Sequence, residues 1–231
     1  MIMASVISVN LGVPRTSTAK DVGITGIDKR PVDHPVAVRA PGSKLTGLGS
    51  GLEGDKLFDR EHHGGDDQAV YAYAREDLDW WSAELRRELP GGCFGENLTT
   101  SGLDVNGAVV GERWRIGNDL VLQVTDPRIP CGTFAGWMVE QQHVQRRWVK
   151  TFTQAARPGA YLRVITPGEV SAGDAIEVIQ RPTHGVTVGE VFRAVTLEPE
   201  LLPRLLTAEE VTEEVKDVAR RRLGLNPADA R

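Results

Sequence analysis

Cys131 lies in Asp126-Pro127-Arg128-Ile129-Pro130-Cys131-Gly132-Thr133-Phe134, directly after the alternating run Leu120-Val121-Leu122-Gln123-Val124-Thr125. The two prolines fix φ and remove backbone donors, so the turn frames the cysteine rigidly at a strand end. A thiolate there could ligate a soft metal or carry sulfur. Arg128, three residues earlier, can lower the thiol pKa by proximity and offer a fork to a phosphate or carboxylate. The plainer readings are an inert buried cysteine and a strand-end salt bridge.

A second cluster is His62-His63-Gly64-Gly65-Asp66-Asp67-Gln68, just before the apolar run Ala69 to Tyr73. Glycines let backbone approach a bound group and expose amides to an anion, and an imidazole beside them can donate a hydrogen bond or shuttle a proton. Adjacent histidines in extended chain point to opposite sides, so at most one of the two faces a given pocket, and the plainer reading is a turn. A third cluster is Phe94-Gly95-Glu96-Asn97-Leu98-Thr99, in which Asn97 either orients a ligand or satisfies a turn. Cys93 has no such frame and reads as a small buried hydrophobe. Asp66, Asp67 and Asp126 match no cation-binding loop, and turn or capping roles suit them better.

These residues need a scaffold. The chain has 231 residues, 40% of them hydrophobic, which is enough for a sizeable core. Short apolar runs recur between glycine and proline breaks: Ser5 to Val9, Val36 to Ala40, Ala69 to Tyr73, Leu120 to Val124, Ala160 to Ile165 and Ala175 to Ile179. The expectation is a mainly β (α+β) fold built on a β-barrel over residues 1–182. A helix is predicted from about Arg75 to Leu89, stopped by Pro90-Gly91-Gly92, and a second from about Phe134 to Lys150. After residue 182 the pattern becomes helical: Val211, Val215, Val218, Ala219 and Leu223 form a stripe, with Thr207 and Glu210 as a capping box and Gly224 as a C-cap. Residues 183–231 thus read as a small helical unit, either an appendage packed on the barrel or a partner-docking or dimerisation element.

Charge and cysteine usage exclude some classes. A net charge of −5 argues against a nucleic-acid partner, and two cysteines without a CxxC pair argue against a zinc module or a secreted disulfide framework. The apolar start, Met1 to Val9, lacks a basic flank and is too short to span a bilayer, so it reads as a strand; no membrane partner and a cytoplasmic location are expected.

Taken in order, HHGGDDQAVYAYA, FGENLTTSGLDVNGAVVGERWRIG, VTDPRIPC and PGAYLRVITPG, with the SVNLG start and the GSGLEGD segment, resemble the MOSC family, and within it the YiiM-like bacterial branch with its C-terminal three-helix extension. The resemblance implies a barrel that binds molybdenum cofactor of the molybdopterin type. Cys131 would be the molybdenum ligand or a persulfide carrier, with Arg128, His62, His63, Gly64, Gly65 and Asn97 beside the cofactor and Cys131 and His63 catalytic. Family members often carry a basic residue at one of the two positions after the cysteine, where this chain has Gly132 and Thr133; another precedes the histidine, where it has Glu61, His62 and, further back, Arg60. The implied function is an oxidoreductase reducing N-hydroxylated compounds such as hydroxylaminopurine-type base analogues. Because the chain has no iron–sulfur cysteine set and no flavin or nicotinamide motif, electrons must come from a partner protein. The alternatives are a persulfide carrier served by a cysteine desulfurase, and a non-catalytic cofactor-binding or delivery module. A homodimer stays open.

Overall fold

The computed structural model describes residues 3–17, 23–61, 63–141, 144 and 147–225. Over them the chain forms β1 (Ser5–Thr16), β2 (Ile24–Val32), β3 (Val36–Val38), β4 (Val70–Ala74), α1 (Arg75–Leu85), β5 (Leu98–Ser101), β6 (Arg113–Ile116) and β7 (Leu120–Pro127). Then follow α2 (Gly132–Glu140), α3 (Trp148–Ala155), β8 (Ala160–Thr166), β9 (Gly168–Val170), β10 (Ile176–Gln180), α4 (Val188–Thr196), α5 (Leu202–Leu205) and α6 (Glu213–Leu223).

Eight strands make one sheet in the order β10-β6-β7-β8-β4-β5-β1-β2, antiparallel except for the parallel pair β4 and β5, which is joined through α1. The expected α+β, strand-dominated class holds, with one correction: the barrel is not closed by a ladder. The sheet curls until the start of β1 meets the turn before β10, where an isolated Ser5–Ala175 bridge and the bonds Val6 N–H to Asp174 O and Ile176 N–H to Ala4 O join them. β2 lies outside that seam as an edge, and it is there that Pro31 is tolerated. Pro14 likewise sits where the β1–β2 register shifts, so β1 runs past it to Thr16, well beyond the Ser5 to Val9 run.

Two helix boundaries differ from expectation. α1 ends at Leu85 because Arg86 turns left-handed (φ 51°) and its N–H caps Ala83 O. Leu89 is still fully buried, since the chain folds back and Ser82 Oγ accepts from its N–H while Arg75 holds its carbonyl. The single helix predicted over 134–150 is instead α2 and α3, separated by the polar run after Glu140, with Arg147 left-handed (φ 81°) at the start of α3.

The inner face of the sheet carries an aliphatic core that continues into Val188 and Val191 of α4, Leu202 and Leu205 of α5, and Ala219 of α6. The C-terminal helices are therefore packed on the sheet. α4 is capped by Thr187, whose Oγ1 accepts from Glu190 N–H at 3.1 Å, and α6 ends on Gly224 in the left-handed region (φ 70°). The expected Thr207–Glu210 capping box does not form: Thr207 donates to Arg204 O, and α6 begins after Thr212, whose hydroxyl is bonded to Asp126. A second, aromatic core packs Trp81, Phe94, Phe134, Trp148 and Phe152 outside the sheet, with Phe94 and Phe134 5.3 Å apart edge to face. This cluster forms the platform under the cysteine turn.

Candidate functional site

β7 ends at Pro127 and the chain turns through Arg128 to Pro130 into α2, with Cys131 at the N-cap position in extended conformation (φ −121°, ψ 174°). Cys131 is half-buried and lines a cavity of about 110 Å³. His63, Gly64, Asn97 and Arg128 share that cavity, so residues separated by tens of positions in the sequence do converge.

The thiol is strongly acidified. Burial would raise its pKa, but a hydrogen bond from His63, the charge of Arg128 and the Phe134 amide outweigh it and bring it down to about 6. Cys131 makes no capping hydrogen bond of good geometry, so the Phe134 N–H acts as a looser polar contact at the positive end of α2. At pH 7 a pKa near 6 leaves roughly ten thiolates per thiol. Cys93 is the opposite case: it is 5% exposed, and burial pushes its thiol well above the usual range, as befits a small hydrophobe.

Arg128 is not the surface salt bridge that its sequence position allowed. It is 6% exposed, with its guanidinium 4.1 Å from the Phe134 ring centroid and 5.1 Å from that of Tyr71. Nη1 donates to Phe94 O, while Nε is buried without a partner among the described residues. One branch of the fork is thus committed to the fold, and the charge beneath the thiol is held by aromatic faces.

Gly64 and Gly65 both lie at positive φ (89° and 81°). A Cβ on Gly64 would stand 2.9 Å from Gly49 O, so the close approach requires glycine. The Gly64 amide does not face an anion as expected, for it donates to Gln68 Oε1 at 3.2 Å. Gly65 packs on the Lys44 backbone and is absent from the cavity lining. His62 lies outside the described residues. Asn97 reaches the cavity, but its polar atoms are spent: Oδ1 accepts from Tyr71 N–H at 3.1 Å, and Nδ2 donates to Asp55 Oδ2 at 2.9 Å and Asn10 O at 3.4 Å. It ties β4 and β5 to the cavity wall.

Sequence reasoning missed the opposite wall. Lys29 of β2 pairs with Asp55 at 2.6 Å, with side chains 10% and 2% exposed, and Asp55 also accepts from Ser50 Oγ and Gly12 N–H, each at 2.7 Å. Burial would raise the Asp55 carboxyl, but Lys29 and these donors hold it down at about 2. Lys56 also lines the cavity and has no ion pair among the described residues. It is brought there because Gly26 on β2 lets the Lys56 carbonyl approach where any side chain would clash. Ser50 and Asp55 belong to the GSGLEGD segment, which was a visible signal; Lys29 and Lys56 had none. Lys56 and Arg128 place on the cavity wall cations that Gly132 and Thr133 do not supply, whereas the charge of Lys29 is balanced by Asp55.

The donor set fits a molybdenum cofactor. Cys131 is a soft, largely ionised thiolate, the orphaned Arg128 Nε is a buried donor near it, and Lys56 on the same cavity wall offers a cation to an anionic group. Among the described residues no group of three or more His, Cys, Asp or Glu side chains is placed to hold a metal ion.

The fold is a curled, strand-dominated sheet with flanking helices, and its one acidified thiol, Cys131, lines a cavity with His63 and Arg128. The model of the MOSC domain matches residues 59–177, and the chain belongs to that family. It is 35% identical over 185 residues to the uncharacterized protein YflK of Bacillus subtilis, covering 80% of this chain and 77% of that one. It is 33% identical over 143 residues to YiiM of Escherichia coli (61% of each), and 26% identical over 246 residues to a protein of Gibberella moniliformis named "Reductase". The chain spans 43% of that reductase's length. The crystal structure of YiiM from Geobacillus stearothermophilus superposes with a TM-score of 0.73 at 24% identity, over 95% of this chain and 99% of that one, which shows the fold. No helix among the described residues is long and apolar enough to cross a membrane.

Proposed function

We propose that this protein binds molybdenum cofactor through the Cys131 thiolate and reduces N-hydroxylated compounds in the cytoplasm, with electrons delivered by a partner protein. The observation that carries the reading is Cys131 itself: a thiol at about pKa 6, in a cavity, against a histidine and a buried arginine. The name of the Gibberella relative, "Reductase", supports the direction of the chemistry.

When bound, the cofactor supplies two-electron redox chemistry that no side chain here can. The rest falls to the chain. Arg128 keeps Cys131 ionised and immobile, because a cation between two aromatic rings cannot swing away. His63, hydrogen-bonded to the thiolate, holds a proton beside the reacting position and can pass it to a departing hydroxyl. Lys56 offers a positive charge to an anionic cofactor group, the Lys29–Asp55 pair braces the wall beside it, and the walls of Tyr71 and Tyr161 narrow the space left for water. The test is turnover: protein carrying its cofactor, given a chemical reductant, converts 6-N-hydroxylaminopurine to adenine, and Cys131→Ala does not. An unchanged N-hydroxylated purine with the loaded wild-type protein overturns the reading.

A further inference from the structure

Of the described residues that line the Cys131 cavity, three are exposed: Ile24, Lys56 and Phe58. They mark its mouth, whereas Arg128, whose charge acts on the thiol, is buried. Lys56 offers its charge to an anionic group. What the mouth shows to a neutral molecule is therefore the branched aliphatic side chain of Ile24, 51% exposed, and the ring of Phe58, 42% exposed. Single exposed apolar side chains are ordinary, but two that share the opening of one cavity form a contact surface for a molecule entering it.

The loop that carries Phe58 contains neither helix nor strand, yet it is pinned on both sides. Before Phe58, Asp55 is paired with Lys29 at 2.6 Å, and the Lys56 carbonyl fits against Gly26, where an added Cβ would stand 1.7 Å from it. Leu57 packs against Gly49 and Gly64, where an added Cβ would lie 3.7 and 3.4 Å from its side chain. After Phe58, Arg60 Nη1 donates to Gly47 O at 3.0 Å and His63 N–H donates to Asp59 O at 3.1 Å. Ile24 is fixed as the first residue of β2, opposite Thr16 of β1. Apolar groups already held in place lose little freedom when a ligand meets them.

Reduction of an N-hydroxylated compound breaks only its N–O bond: R–NH–OH takes two electrons from the donor protein and two protons, and leaves as R–NH2 and water. The body R is unchanged by the reaction, so contacts to it are read in KM rather than kcat. We propose that Phe58 and Ile24 select that body, holding a flat ring on the hydroxylated nitrogen so that aryl hydroxylamines are preferred to alkyl ones. The proposal rests on the redox reading of the cavity. Ring-on-ring contact adds to the gain from apolar burial, and a difference of this size in apolar contact discriminates about tenfold or more.

N-phenylhydroxylamine and N-methylhydroxylamine share the reacting group and differ in ring against methyl. Calorimetric titration of the full chain as purified, at pH 8 without oxygen or reductant, reads binding alone. The phenyl compound is expected to bind at least about tenfold more tightly than the methyl one, with puckered N-cyclohexylhydroxylamine between them. The gap should shrink to about threefold or less in Phe58→Ala and persist in Phe58→Trp, which keeps a flat face. The comparison of the three ligands uses the wild-type protein, so it holds even if a variant misfolds. With cofactor and reductant the same preference should appear in kcat/KM, carried by KM. Binding with this preference but no turnover would sink the redox reading and leave the ring contact standing. Turnover without the preference, a preference untouched by Phe58→Ala, equal binding of the cyclohexyl and phenyl compounds, or no saturable binding of the phenyl compound would overturn the proposal.

Discussion

His63→Ala should weaken the acidification of Cys131, and the size of the effect can be worked out from the site. The imidazole hydrogen bond is the largest of the influences that lower the thiol from its ordinary value to about 6, ahead of the Arg128 charge. Removing a hydrogen bond to the charged form raises a pKa by about one unit or more. Two consequences then oppose each other, because a more basic thiolate is scarcer at low pH but intrinsically more nucleophilic, with a Brønsted slope of about 0.4–0.5. For a one-unit rise, the high-pH plateau of alkylation climbs about threefold, while the rate at pH 5.5 falls about threefold. A rate at pH 7 alone would hide the change. The assay is the pH profile of iodoacetamide alkylation, followed by intact mass, with Cys131→Ala to confirm that buried Cys93 stays unmodified. The expected midpoint is near 6 for the wild type, moving up in the variant with crossing profiles. A wild-type midpoint between 8 and 9, the ordinary range for a thiol, or an unmoved midpoint in His63→Ala, refutes the electrostatic account of the site.

Asp55→Ala leaves Lys29 as an unpaired, largely buried cation and should cost about 3–5 kcal/mol in urea unfolding. In the wild type the Asp55 carboxyl is depressed, so its stabilisation is present above the ordinary carboxylate range and is lost as the pH falls toward about 2; Asp55→Asn should flatten that part of the acid unfolding curve. Gly64→Ala places a Cβ at positive φ and 2.9 Å from Gly49 O, and should lower stability by roughly 1–3 kcal/mol while shifting the His63 segment enough to raise the Cys131 midpoint.

Much of this site was legible because its chemistry-bearing types sit beside turn-makers: Cys131 between prolines, His63 before two glycines. Alternation and periodicity also placed β4, β7, β8 and the start of α1. What could not be read were the long-range partners. Nothing local in Lys29 foretells its pairing with Asp55, which depends on β2 crossing a loop that Gly26 admits. Asp126 looked like a turn residue until α6 brought Thr212 against it. Asn97, a candidate cofactor ligand by type, turned out to be consumed by Tyr71, Asp55 and Asn10, partners distributed over three separate segments. The single helix read across 134–150 is two: α2 ends at Glu140, and α3 starts at Trp148 after Arg147 in the left-handed region (φ 81°).

Metal and pterin content measures the central claim most directly. Protein produced under molybdenum-replete conditions should carry molybdenum and pterin in equal amounts, and Cys131→Ala should lose the metal, whereas Cys93→Ala should keep it. Molybdenum retained by Cys131→Ala, or neither metal nor pterin in the wild type, would contradict the assignment of Cys131 as the ligand.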